Sequence, residues 1–299
     1  MVSNWTLFSL LTTLPVLLNP LKVDAQQWLP IRGGSENGIS GIALLEHSPR
    51  STSFLVVHDN KKDNEKRVGI VLLEDTKLPQ YQPLTWQADS LPVDLEALVM
   101  VPRMTNSFIA LTSDGTAYHL SLDSSHRAAI VHKTFSLPKA APKSNFESFA
   151  LQTVNNTLVA VWAHRGGDET PAILYWSLFN LKNYAFSEVR SLPVTVPYPA
   201  QDVRHASDVK VDPSGTVFIT ATSDPGNDGP FESAFYIAGQ VSIVDGKPIF
   251  IKNSAPVRLN HFLGHKIEAF ELVPGKDGGV VFGTDDENMG SSGFYKPMF

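Results

Sequence analysis

Ser40, Glu96, Glu147, Ser207 and Glu268 are the residues whose types and spacing point first to chemistry. Each follows an apolar residue and opens an alternating run. The copies are Ile39-Ser40-Gly41-Ile42-Ala43-Leu44, Leu95-Glu96-Ala97-Leu98-Val99-Met100, Phe146-Glu147-Ser148-Phe149-Ala150-Leu151, Ala206-Ser207-Asp208-Val209-Lys210-Val211 and Ile267-Glu268-Ala269-Phe270-Glu271-Leu272. They recur about every 50–60 residues, the period of a solenoid, propeller or array. Three carboxylates gathered with two hydroxyls repel one another unless something positive sits among them. Oxygen donors in a roomy cage suit a hard cation, and calcium tolerates an irregular cage better than magnesium. The other reading is that polar residues simply open strands at a solvated channel mouth.

Positioning such a ring requires five equivalent elements. Each copy leads into further short segments rich in β-branched and aromatic residues, separated by Gly, Asn, Asp, Ser or Pro. Asp114-Gly115, Asp245-Gly246 and Pro213-Ser214-Gly215 are turn signals. No long helical period stands out. Four strands per unit and five units predict an all-β, five-bladed β-propeller. The last unit has room for only one more strand, Gly293–Met298, after Gly279–Phe282. Residues 26–32 precede the first unit and have no blade of their own. They are expected to supply the missing outer strand and close the ring, which protects exposed sheet edges.

The inner strand of each propeller blade lines the central channel, so the five ring residues should circle one mouth. The loops after the second strands return to that mouth and are polar: His58-Asp59-Asn60, Thr112-Ser113-Asp114, His164-Arg165-Gly166-Gly167-Asp168, the stretch from Ser223-Asp224 and Thr284-Asp285-Asp286-Glu287-Asn288. Around His164, successive glycines would let backbone N–H groups approach an anion while Arg165 binds it. A flexible hairpin tip is the competing reading. Arg204 and Lys266 enter inner strands, where they would either bind an anionic ligand or offset the ring's negative charge. Asp285-Asp286-Glu287 reads equally as a second cation site or a solvated turn. Candidates for a catalytic acid or base are Asp286, Glu287 and His164. Trp162 and Trp176 lie on strand patterns and are expected to pack between blades.

Composition narrows the class. The chain has 299 residues, 18% of them charged, and a net charge of −6, which argues against a disordered chain and against a nucleic-acid polymer as partner. It has no cysteine, so disulfides, thiolate metal sites and cysteine nucleophiles are excluded. Leu7 to Leu18 is apolar but too short to span a bilayer, and Val23-Asp24-Ala25 offers small residues where a signal peptidase cleaves. The expectation is a signal peptide over residues 1–25, then a single propeller domain over 26–299, a monomer that is secreted or periplasmic. No nucleophile elbow, P-loop, zincin motif or dinucleotide fingerprint is present.

The order Ser, Glu, Glu, Ser, Glu at five inner-strand starts resembles the calcium-activated nucleotidases (apyrases), and more loosely the phytase-like calcium propellers. The resemblance rests on those five short segments and a loose likeness around Thr284–Asn288. It implies a five-bladed propeller with central calcium held by Ser40, Glu96, Glu147, Ser207 and Glu268. No longer motif carries over a catalytic or nucleotide-binding residue. The expected function is therefore an exported calcium-binding propeller that takes a glycan, a peptide or a small anionic molecule at the channel mouth. The alternative is a calcium-dependent phosphoester or nucleotide hydrolase.

Overall fold

The computed structural model describes residues 26–138, 145–226, 228–276 and 278–297. The signal-peptide expectation falls outside these residues. Five sheets, antiparallel except at one added edge strand, follow one another along the chain. Blade 1 contains β2 (Gly41–Ser48), β3 (Ser51–Val57), β4 (Val68–Glu74) and β5 (Gln80–Pro83), which follow a short N-terminal strand, β1 (Leu29–Arg32). Blade 2 contains β7 (Leu95–Met100), β8 (Phe108–Thr112), β9 (Thr116–Leu122) and β10 (Ala128–Ser136), with β6 (Thr85–Gln87) added parallel to β10. Blade 3 contains β11 (Phe146–Val154), β12 (Thr157–His164) and β13 (Ala172–Asn180), on which both β14 (Ala185–Phe186) and β15 (Arg190–Val194) pair. Blade 4 contains β16 (Val203–Val211), β17 (Thr216–Ser223), β18 (Glu232–Val244) and β19 (Lys247–Leu263). Blade 5 contains β20 (Ile267–Val273), β21 (Gly279–Thr284) and β22 (Ser291–Pro297), and β1 is its outer strand.

The chain is thus an all-β, five-bladed propeller, and the N-terminal strand closes the ring as expected. Leu29 pairs with Gly293 and Pro30 with Ser292. Trp28 then packs on Phe262, His265 and Phe294, so the closure also bridges blades 4 and 5. Among the described residues no helix is long and apolar enough to cross a membrane.

Burial explains which strands lie inside. Leu95–Val99 and Phe108–Thr112 are buried on both faces and read as continuous apolar runs. Outer strands such as β5 are mostly exposed. Among the described residues, an apolar cluster fills each gap between neighbouring blades. Trp162 lies between blades 2 and 3, and Trp176 between blades 3 and 4, where its Nε1 donates to Pro248 O at 3.1 Å. The blades approach closely at the hub. A Cβ on Gly41 would lie 2.7 Å from Leu98 N of the next blade.

Three segments are irregular. Residues 80–87 divide between two blades, Gln80–Pro83 pairing with β4 and Thr85–Gln87 with β10. Ala185–Phe186 and Arg190–Val194 are two separate strands on β13. β19 runs as far as Leu263, with register shifts in its pairing. Pro256 is tolerated there because β19 is an edge strand.

Candidate active site at one mouth of the channel

The three ring glutamates share a backbone device. Leu95 pairs with Thr112 and Ala97 with Leu111, so Glu96 is the extra residue of a β-bulge. Glu147 lies in the same kind of irregularity between Phe146 and Ser148, and Glu268 between Ile267 and Ala269. A bulge re-aims one side chain without breaking the strand. Each inner strand can therefore bury its apolar residues between blades and still turn a carboxyl towards the axis.

The ring gathers these carboxyls with different partners. Glu268 accepts from Arg204 Nη1 at 2.7 Å and from Lys266 Nζ at 3.1 Å. Glu147 lies 3.8 Å from the same Arg204 nitrogen, 3.2 Å from Arg165 Nη1 and 3.2 Å from Asn145 Nδ2. Arg204 also pairs with Asp224. One guanidinium thus joins blade 3, blade 5 and a blade 4 loop. Burial alone would lower the Arg204 pKa, but Glu268 and Glu147 outweigh it and hold the guanidinium firmly charged. Lys266 is raised in the same way, chiefly by Glu268 and Asp285. The positive charge that the ring requires is supplied by the protein's own side chains.

Glu96 stands apart because it has no ion-pair partner among the described residues. Burial pushes its pKa well up, and Glu147, Glu268, Asp59 and Asp94 push further. Glu147 is raised by burial to about 7, even with Arg204 opposing. Asp59, half-buried in the loop after β3, is raised to about 6 by burial and then by Glu268. Asp94, at the entry to β7, binds Lys61 Nζ at 2.8 Å and accepts from Ser113 Oγ. The mouth therefore holds a carboxyl strongly biased towards its protonated form, a carboxyl raised to about 7 and carboxyls clamped by cations, within one field. This is how one fold separates acid and base roles.

The two serines differ. Ser207 Oγ donates to Ile267 O at 2.8 Å and lies 3.1 Å from Thr220 Oγ1, tying blade 4 to blade 5. Ser40 Oγ is buried without a hydrogen-bond partner. Calcium fits this donor set only in part. Ser40 and Glu96 have unspent ligand capacity, but Glu147 and Glu268 are already neutralised. Among the described residues no group of three or more His, Asp or Glu side chains is gathered closely enough to hold a metal ion.

The remaining sequence candidates have structural contacts. Asp286 accepts from His265 Nδ1 at 2.8 Å, Thr284 Oγ1 at 2.9 Å and Lys266 N at 2.8 Å, and is buried. Glu287 pairs with Lys266. The acidic turn therefore anchors Lys266 beneath the ring. His164 Nδ1 accepts from Gly166 N at 3.1 Å, which shapes the hairpin, and burial lowers its pKa. Of the cations expected to face a ligand, Lys266 is 1% exposed and spent on the ring, while Arg165 keeps an exposed edge. Asp59 and Asp94 join the site although neither stands in the repeated register. The signal available for them was the polarity of their loops.

Fold and site together define a five-bladed β-propeller with a carboxyl-lined axial mouth. No protein-family model matches the chain, and no curated protein matches it in sequence. Solved structures resemble it in fold. An endo-1,4-β-xylanase from Bacteroides thetaiotaomicron superposes with a TM-score of 0.56 at 10% identity, over 88% of this chain and 91% of that one. An endo-arabinase from the same organism gives 0.51 at 7% identity, over 92% and 98%. An α-L-arabinofuranosidase from Podospora anserina, solved with cellotriose, gives 0.50 at 11% identity, over 91% and 98%. By their descriptions these three are carbohydrate-active enzymes, not nucleotidases or phytases.

Proposed function

We propose that the Glu96 mouth binds a glycan and hydrolyses a glycosidic bond. The observation that carries this reading is the pairing of a partnerless, buried Glu96 with a half-buried Asp59 at one mouth. Glycoside hydrolysis commonly uses one carboxylic acid and one carboxylate. Glu96 gives its proton to the glycosidic oxygen as the anomeric C–O bond breaks. Water adds to the anomeric carbon and passes a proton to Asp59. Burial first, and then the neighbouring carboxyls of Glu147, Glu268 and Asp59, favour the protonated form of Glu96. The carbohydrate-active neighbours support the substrate class by analogy of fold.

The test is release of reducing sugar from arabinan, xylan and a panel of aryl glycosides. Glu96→Gln and Asp59→Asn should each lower kcat by about 10²-fold or more while the melting curve survives. No release from any substrate by the folded wild type would defeat the proposal. The phosphoester alternative is not carried forward, since Arg204 and Lys266 are spent on Glu147, Glu268, Asp224 and Glu287.

A second reading keeps the calcium expectation: a non-catalytic binding propeller whose ion rests on Ser40 and Glu96. The unpartnered Ser40 hydroxyl favours it. Metal analysis of the purified chain decides: stoichiometric calcium with a fall in Tm on chelation establishes it, and an empty chain indifferent to chelator removes it. Export after cleavage at Ala25 belongs to the same proposal and is checked by sequencing the mature N-terminus.

A further inference from the structure

The opposite mouth of the channel contains a second site. There the inner strands end around a cavity of about 530 Å³ on the propeller axis. Leu44, Val99, Leu151, Phe218 and Leu272, drawn from all five blades, wall it. Its size lies within the range of small-molecule pockets, and its mainly apolar walls are usual for them.

The buried charges at this end, Asp208, Lys210 and Glu271, come from blades 4 and 5. Lys210 is buried, and its Nζ donates to Leu98 O at 2.9 Å and Ile42 O at 3.2 Å and lies 3.5 Å from Asp208 Oδ2. It reaches from blade 4 to blades 1 and 2, and its donors are spent. Asp208 accepts from Val209 N at 2.7 Å and Phe270 N at 2.9 Å, so it is spent as well. Glu271 differs. It lines the cavity, its carboxyl takes backbone N–H bonds from Leu272 at 2.8 Å and from Leu44, and among the described residues it has no salt bridge, Lys210 acting on it only from a distance. At the rim, Arg103 is exposed and donates to Asn156 Oδ1 at 3.2 Å, and Asp212 caps the turn before β17. These two rim charges offset each other. With both carboxyls ionised, Asp208, Lys210 and Glu271 together leave one negative charge in excess at the base of an apolar cavity.

We propose that this cavity binds a small organic monocation, an ammonium group carried on an apolar body. The ammonium pairs with Glu271, and the body fills the space between the five inner-strand ends. An anion is refused by Glu271, and a neutral molecule of the same shape leaves its carboxylate unmatched. The proposal is independent of chemistry at the Glu96 mouth.

Calorimetry on the full chain at pH 8, where Glu271 is ionised, with 4-phenylbutylammonium, 4-phenylbutanol and 5-phenylpentanoate tests it. The ammonium should bind at least tenfold more tightly than either isostere. Glu271→Gln should remove that preference, and Glu96→Gln should leave it intact. Leu151→Trp, which fills the cavity and leaves Glu271 in place, should abolish binding of all three probes. It carries the test if Glu271→Gln fails to fold. Equal binding of alcohol and ammonium, no binding of the ammonium, or unchanged selectivity in both cavity variants would each overturn the proposal.

Discussion

The two ends of the channel are made by the same five strands, yet they treat charge in opposite ways. At the Glu96 mouth, carboxyls outnumber cations, and Arg204 and Lys266 bridge several of them at once. At the other end a single Lys210 satisfies two carbonyls and Asp208, and the rest of the lining is mainly apolar. The cause is one of register. Glu96, Glu147 and Glu268 sit on bulges at the strand starts, so their carboxyls leave the blade interface. Three residues further on, Val99 and Ala150 are apolar, and Lys210 and Glu271 are the exceptions. Lys210 reaches across the hub between the ends. A polar network of this kind costs desolvation, and its members must be mutually satisfied to persist.

The largest effect should come from removing what both ends share. Deleting residues 26–32 strips β1 from β22 and Trp28 from its aromatic neighbours. The Tm should fall by more than about 10 °C in calorimetry, and a smaller shift would mean that ring closure does not hold the two mouths together. Next comes Lys210→Met, which leaves Asp208 buried without its cation. A loss of about 3–5 kcal/mol is expected in denaturant unfolding. Adding Asp208→Leu should recover part of it, because the partnerless charge goes too. Arg204→Ala tests the other end. Glu147 and Glu268 then face each other with less compensation, so unfolding at pH 8 should be easier by about 2–3 kcal/mol, and by less at pH 6, where Glu147 is protonated. If both substitutions cost the same at both pH values, the two ends are not electrically distinct.

Much of this was legible in the sequence. The five repeated openings gave the blade count, and the short last unit gave the strand exchange that closes the ring. The same repeats marked Glu96, Glu147 and Glu268, because a bulge preserves the strand's apolar pattern while exempting one residue. Arg204 and Lys266 could be placed near the ring, but the choice between ligand contact and counter-ion needed distances. Asp59 stood in a loop expected at the mouth but without a role, and Asp94 was hidden, because loop geometry, not periodicity, brings them in. Asp94 takes φ 66°, a left-handed conformation that short polar residues tolerate. Lys210 and Glu271 stood in the quoted repeats. Their meaning needed the third dimension, since an isolated charge within an apolar strand shows neither its partner nor the cavity beside it. The length of β19 was obscured by the polar residues of an edge strand, which need no buried face.

The smallest effect separates the ends by pH. Glu147 at one mouth and Glu271 at the other are both raised to about 7, mainly by burial. The unfolded chain releases these protons near pH 4–5. Between that pH and about 7 the native state holds more protons than the unfolded state, so each group costs stability as pH rises, and the cost is complete above 7. His58, lowered to about 4 by burial, acts in the other direction. It takes up a proton on unfolding below about 6.5, so stability is lost as pH falls through that range. Asp123, lowered to about 2 chiefly by its bond from Ser125, changes only at still lower pH. Two raised carboxyls outweigh one lowered histidine, so Tm should be highest near about pH 4–5, decline as pH rises to about 7 and level off above it. Glu147→Gln and Glu271→Gln should each flatten the decline by about 1 kcal/mol. An ammonium probe in the apolar cavity should flatten it in the wild type and in Glu147→Gln, but not in Glu271→Gln. A decline insensitive to both substitutions would place the responsible protons elsewhere and erase the electrostatic distinction between the two mouths.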